Sequence, residues 1–334
     1  MTVTCSDARR SVTETSRTPT KRAAPVSMTF TVDHVIYHAG CPDGYTAAWL
    51  LTTASTTPPV LHEGRYGQPP PDRLSGLVVI ADFSYPPGTL AEIAARVDTL
   101  VVLDHHETAI RQIETHTGFP ANCEFTLDPG RSGCGITADW LDTVAPASTS
   151  WRSRFVDYIE DRDLWRFNLP GSEQIAAVAN ATPMRPPGPD MFDDWATVAE
   201  QVNTDTAAAQ AAGAIVQRRN LILIGQAIET VGFVEIGGHR DIPVVAVPYG
   251  LGSDAADVLC ERYPDAPFTG YYIDSDIGRQ FGLRAHTGST VNVAKIAETY
   301  GGGGHPTASG FRVLWGFVPL APGPRFGPHE NVSG

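Results

Sequence analysis

Three times in the first half of the chain, a short apolar run rich in β-branched residues breaks off into carboxylates or imidazoles and gives way to a helical pattern. Val35-Ile36-Tyr37 leads to His38 and Asp43, Leu77-Val78-Val79-Ile80 to Asp82, and Leu100-Val101-Val102-Leu103 to Asp104, His105 and His106. Continuous apolar runs bounded in this way read as strands covered on both faces, the βα repeat of a parallel sheet. Parallel strands bring their carboxyl ends to one edge, and ligands of open α/β sheets bind outside that edge. The three sets of polar residues are therefore expected to converge.

The remaining pattern divides the chain. Helical stretches are expected over 132–143 and 148–165, the second carrying Asp161 and Asp163 near its end. Four prolines in ATPMRPPGPD, residues 181–190, interrupt periodicity and close a first domain of residues 28–190. An Ala-rich helical segment over 205–228 dominates a linker of residues 191–229, and a flexible connection over 182–204 would permit domain closure. Short strand-like runs return at 233–236, 242–247, 268–273 and 280–285, followed by a helix over 291–300, the run Gly301-Gly302-Gly303-Gly304-His305 and a last strand over 309–315. The expected fold is α/β: a parallel-sheet domain joined by a helical linker to a smaller mixed α/β domain of residues 230–318. No internal repeat of fixed period supports a solenoid.

Composition narrows the function classes. The 334 residues carry 24 Lys+Arg against 37 Asp+Glu, a net charge of −13 that repels long duplex nucleic acid. No apolar run reaches the roughly 18 residues of a membrane span, so no membrane partner is expected. Five cysteines without a CxxC pair suggest neither a disulfide framework nor a zinc ribbon, and a cytoplasmic, reducing setting is the expectation. Residues 1–27 have the composition of a disordered tail, with Met28 as an alternative start and an organelle transit peptide as the other reading; residues 319–334 read as a second tail.

Chemistry enters through the converging strand ends. His38, Asp43, Asp82, Asp104, His105 and Asp161 gathered without counter-ions would force several carboxylates to share one site, at a cost in stability. Two divalent cations relieve that repulsion, and a donor set rich in oxygen favours manganese, with magnesium or zinc as alternatives. Two cations about 3.5–4 Å apart are the recurrent clamp for in-line displacement at phosphorus. Phosphoester hydrolysis is the leading expectation.

The segments YHAGCPDGYTAAW, VVIADFSYP, VVLDHHETA and YIEDRDLW, in this order, together with GGGGHPTASGF, resemble the DHH phosphoesterases and their associated C-terminal domain across roughly residues 33 to 315. The resemblance implies that His38 and Asp82 bind one cation and that Asp43, Asp82, His105 and Asp161 bind the second, Asp82 bridging. It implies that His106 faces the scissile phosphate and that Asp104 holds His105 in its tautomer, with Asp163 a weaker candidate. Arg284 and His305, with Gly302, Gly303 and Gly304 offering backbone N–H groups, are the implied substrate residues. Cys41 stands where many members carry an aspartate, and is either a soft ligand or a small buried residue. Arg131-Ser132-Gly133 reads as a helix N-cap rather than a phosphate grip.

A second domain with six Lys/Arg and nine Asp/Glu between 231 and 320 offers no cationic polymer track. The expected substrate is a short oligonucleotide or small nucleotide, cleaved by a hydroxide generated between the two cations; a homodimer is compatible with the sequence. Inorganic pyrophosphate or polyphosphate hydrolysis is one alternative. A nucleotide-binding sensor, with Cys41 marking a decayed first site, is another.

Overall fold

The computed structural model describes residues 30–286 and 288–315. The two expected tails and Met28 lie outside the described residues. In chain order the first half runs β1 (His34–His38), α1 (Pro42–Ala54), β2 (Val60–Gly64), β3 (Leu77–Ala81), α2 (Pro87–Ala94), β4 (Thr99–Asp104), α3 (Glu107–Thr115), β5 (Cys123–Leu127), α4 (Gly133–Val144), α5 (Arg154–Asp163) and α6 (Ser172–Ala181). Then follow α7 (Asp193–Thr204), α8 (Thr206–Ile228), β6 (Gly232–Ile236), β7 (His239–Ala246), α9 (Gly252–Arg262), β8 (Thr269–Asp274), β9 (Gly278–Arg284), α10 (Val293–Glu298), β10 (Gly303–His305) and β11 (Ala308–Leu314).

The first sheet is wholly parallel in the order β2-β1-β3-β4-β5. Side chains alternate across a strand, and the continuous apolar runs accordingly feed two cores. Val35, Tyr37, Val79, Ala81, Val101 and Leu103 point to one face, and Ile36, Val78, Ile80, Leu100 and Val102 to the other. Chain direction across the sheet reverses between β1 and β3, the place where open α/β sheets form their crevice. His38 ends β1 and Asp82 follows β3, so these two residues flank that crevice. The second sheet is mixed, in the order β10-β11-β9-β8-β7-β6, with only β7 and β8 parallel.

The expected linker is less separate than its composition suggests. Met191, Trp195, Ala199 and Val202 of the segment leading into and through α7 are buried in the first domain's core, with Trp195 fully enclosed. Trp195 Nε1 donates to Thr46 Oγ1 at 3.3 Å, tying α7 to α1. The proline-rich break does occur, between α6 and α7, but Tyr45 and Met191 hydrogen-bond across it. The helix α8 joins the domains: Ala209 packs into the first core, and Ile224 and Ile228 pack against α9 and β7 in the second. Asp205 caps this helix by accepting from Ala208 N at 3.1 Å.

Because α7 completes the first core, Trp195→Ala should lower the unfolding free energy by about 3–5 kcal/mol. Urea denaturation followed by circular dichroism measures it, and a loss below about 1 kcal/mol, typical of a surface change, would mark α7 as a mere connector.

Candidate metal centre

The carboxyl edge of the first sheet brings together His38, Asp43, Asp82, His105 and His106, as the strand pattern implied. Asp82 is the centre. It sits one residue past β3 with φ 55°, a left-handed conformation costly for any residue but glycine, and its N–H donates to Leu103 O at 2.8 Å. This turn aims the carboxylate between two imidazoles: Oδ1 lies 3.0 Å from His105 Nε2 and Oδ2 lies 3.4 Å from His38 Nδ1.

Asp43, on the first turn of α1, is oriented by the start of another helix. Its carboxylate accepts from Gly133 N at 2.5 Å and Cys134 N at 2.9 Å. A helix N-terminus presents unsatisfied N–H groups and a partial positive charge, which suits a buried carboxylate. Gly133 is required there, since a Cβ would come within 2.4 Å of Asp82 Cβ. Ser132 is the N-cap, accepting from Gly135 N, while Arg131 is bound to Glu160 and Asp139. The Arg131-Ser132-Gly133 segment is thus a helix cap that delivers N–H groups to Asp43.

Asp161 does not join the cluster. Its two carboxylate oxygens accept from the backbone N–H of Asn168 at 3.0 Å and of Leu169 at 3.2 Å, and so organise the loop after α5. Two residues later on the same helix end, Asp163 places Oδ2 3.5 Å from His105 Nε2. Asp163, expected to be the weaker candidate, is thus the one of the two that approaches His105.

The role expected of Asp104 also shifts by one residue. Its Oδ1 accepts from the backbone N–H of both His105 and His106 and lies 2.7 Å from His106 Nδ1. Asp104 therefore fixes the ring of His106, not that of His105, leaving Nε2 of His106 as its ligand nitrogen.

Two sets of three donors follow, each with its ligand atoms within 4.8 Å of one another: His38, Asp82 and His106, and Asp43, Asp82 and His105. Asp82 belongs to both. Cys41 is outside both sets; it lines the same cleft just before α1, where burial, followed by Asp82, Asp163 and Asp43, pushes its thiol well up, against forming a thiolate.

The electrostatics describe a site built for added positive charge. Burial first, and then Asp82 and Asp163, raise Asp43 well above the ordinary carboxylate range; burial also raises Asp163. For Asp82 burial acts upward, but the hydrogen bond with His105 and the charges of His38 and His105 outweigh it and hold the group well below that range. His105 is in turn raised: burial opposes its charge, and Asp163, Asp82 and Asp43 more than compensate. Among the described residues, His38 Nδ1 and Asp82 Oδ2 are buried and, 3.4 Å from each other, lack a well-formed hydrogen bond. Buried polar atoms without partners, beside several enclosed carboxylates, fit divalent cations held by His38, Asp82, His106, Asp43, His105 and Asp163.

A cleft of about 620 Å³ opens from the cluster toward the second domain, and a contiguous one of about 580 Å³ continues it along β9, β10 and β11. Arg284, at the end of β9, is buried, and no carboxylate pairs with it among the described residues. Its guanidinium lies 3.7 Å from the ring centroid of Trp165, and burial, then nearby Arg162, brings it down to about 10. The other arginines of the cleft are engaged: Arg65 with Glu63, Arg162 with Asp254, Arg185 with Asp190 and Asp194.

His305 reaches the cluster, its ring stacked on that of His106 at 5.1 Å. The glycines before it do different work from that expected. Gly301 N and Gly302 N donate to carbonyls at the end of α10, and Gly304 N donates to Thr108 Oγ1 at 3.3 Å. Side chains at 302 and 303 would collide with β11 and with Thr108. Gly301 and Gly302 thus close the turn after α10, and Gly303 and Gly304 open a strand pressed onto α3, rather than the run forming a free anion nest. Tyr66, Trp165, Tyr249 and Tyr271 also line the clefts and were not foreseen. Trp165 was visible within YIEDRDLW; Tyr66 follows β2, whose short run carries no clear apolar alternation.

No family model matches the chain. An uncharacterized protein of Acanthamoeba polyphaga mimivirus is 26% identical over 320 residues, which cover 86% of this chain and 70% of that protein. Among solved structures, the pGpG-specific phosphodiesterase PggH from Vibrio cholrae is matched over 85% of this chain and 94% of its own, at 13% identity and a TM-score of 0.42. The DHH domain of a member of the s1p family of ribosomal proteins is matched over 85% and 83%, at 13% identity and a TM-score of 0.44. These likenesses are distant, and the site stands on its own residues.

If Asp163 and not Asp161 faces the cations, Asp163→Asn should weaken manganese binding by about 10–100-fold, while Asp161→Asn leaves it near the wild-type value. Titration calorimetry distinguishes them, and the reverse order would refute the placement. Because the raised His105 and His106 must lose protons before they can ligate, the same titration should show affinity rising with pH through and above the ordinary imidazole range.

Proposed function

We propose that the chain is a DHH-family phosphoesterase that hydrolyses short oligonucleotides or small nucleotides with two divalent cations, manganese first among them. The observation that carries this reading is Asp82, shared by two three-donor sets at the mouth of a cleft that also holds Arg284, which no carboxylate among the described residues pairs. Cations bound there would lower the pKa of a water and clamp the oxygens of a phosphoryl group.

The protein's own residues supply the rest. Asp104 holds Nδ1 of His106, so Nε2 can meet either a cation or a phosphoryl oxygen. Arg284 offers a rigid fork of N–H donors, which matches a phosphate, and Trp165 braces its plane. Tyr249 and Tyr271 provide flat apolar surface of the kind on which nucleobases stack. A cleft of about 620 Å³ suits one or two nucleotides.

These features rank the alternatives. Pyrophosphate or polyphosphate calls for several free cations, whereas three of the four cleft arginines named above are already paired with carboxylates. A sensor with a decayed site is disfavoured because both donor sets form without Cys41. A cytoplasmic location remains part of the proposal; among the described residues no helix is long and apolar enough to cross a membrane.

Hydrolysis of a labelled two- to five-nucleotide RNA with manganese tests the reading. Mononucleotides should be released by the wild type, and Asp82→Ala should fall to background. Arg284→Ala should lose about 10–100-fold in kcat/KM, the worth of a charge-assisted hydrogen bond of roughly 1.5–3 kcal/mol. Absence of turnover by the wild type, with pyrophosphate cleaved instead, would refute it.

A further inference from the structure

His305 carries an imidazole of the second domain into the cluster of the first. Its ring centroid lies 4.7 Å from that of His105 and 5.1 Å from that of His106. One ligand atom from each of these three rings lies within 4.8 Å of the other two.

The placement is enforced from several sides. Gly302 and Gly303 allow β10 to lie against β11 and Thr108, where a side chain would collide. Gly304 N donates to Thr108 Oγ1, and Arg111 of α3 is paired with Glu298 of α10, just before the glycine run. On the other side of the cleft Arg162 meets Asp254 of α9 at 2.7 Å.

We propose that His105, His106 and His305 form an interdomain site for one imidazole-preferring divalent cation of the zinc or cobalt(II) kind, whose binding holds the second domain closed on the first. Imidazole nitrogens suit such borderline cations, whereas the carboxylate sets suit magnesium or manganese. Tetrahedral bonds of about 2.0–2.1 Å place nitrogens roughly 3.3 Å apart, so the His305 ring must turn out of its stack on His106, whose own ring Asp104 holds. The fourth position faces the cleft and is open to water or a phosphate oxygen. His105 and His106 also belong to the two Asp82 sets, so a cation on His305 draws donors away from them. Zinc would thereby oppose manganese; this competition, though not the site, rests on the phosphoesterase reading.

Cobalt(II) titration of the metal-free full chain, followed by visible absorption, tests the site in the wild type, Asp43→Asn, His305→Ala and His305→Cys. The intense bands of tetrahedral cobalt should appear in the wild type, persist in Asp43→Asn, which removes a donor of the carboxylate set only, and be lost in His305→Ala. His305→Cys should gain a thiolate-to-cobalt charge-transfer band absent from the wild type. Circular dichroism verifies that each variant is folded. Unchanged bands in His305→Ala, or no new band in folded His305→Cys, would overturn the proposal. The readout needs no substrate, so its failure leaves RNA hydrolysis standing, and failed hydrolysis leaves the site standing.

Discussion

Gathering the buried Asp43 and Asp82 and the half-buried Asp163 around one imidazole is the constraint on which the rest of the structure depends. Like charges in a low-dielectric interior repel strongly, and they are met by two imidazoles on Asp82, a helix N-terminus on Asp43, and His105 shared among all three carboxylates. That arrangement leaves His38 Nδ1 and Asp82 Oδ2 without a well-formed hydrogen bond among the described residues. Buried polar atoms without partners are costly, and cations would satisfy them. The left-handed backbone of Asp82 belongs to the same arrangement, a local strain that the surrounding parallel strands hold in place.

Much of this was legible in the sequence because parallel strands ending in polar residues have only one edge on which to place them. Three runs predicted β1, β3 and β4, and the chain order of β1 and β3 put His38 and Asp82 at the crevice. The outer strands β2 and β5 were not foreseen: both are half-exposed, so Val60–Gly64 and Cys123–Leu127 lack the continuous apolar signature of their inner neighbours. Asp161 and Asp163 could not be separated by spacing. They sit at the frayed end of α5, and only the loop to Leu169, whose N–H groups capture Asp161, decides which carboxylate faces His105. Asp104 was misassigned for a related reason, since adjacent imidazoles on a strand end differ in direction, not in sequence.

The second domain illustrates how composition can mislead about packing. Four consecutive glycines suggest a loop, yet here the missing side chains allow a strand to press against Thr108 and carry His305 across the domain boundary. The Ala-rich linker likewise contributes Trp195 and Ala209 to the first core. Closure of the cleft is therefore written into packing on both flanks, with Arg284 and Trp165 on one side of the cluster and the glycine strand on the other.

Asp82, common to both donor sets, is placed to serve two cations at once. Anomalous diffraction at the manganese edge, from crystals grown with manganese, measures this. Two peaks about 3.5–4 Å apart are expected with the Asp82 carboxylate between them, one beside His38 and the other beside Asp43 and His105. A single peak, or peaks out of reach of Asp82, would contradict it.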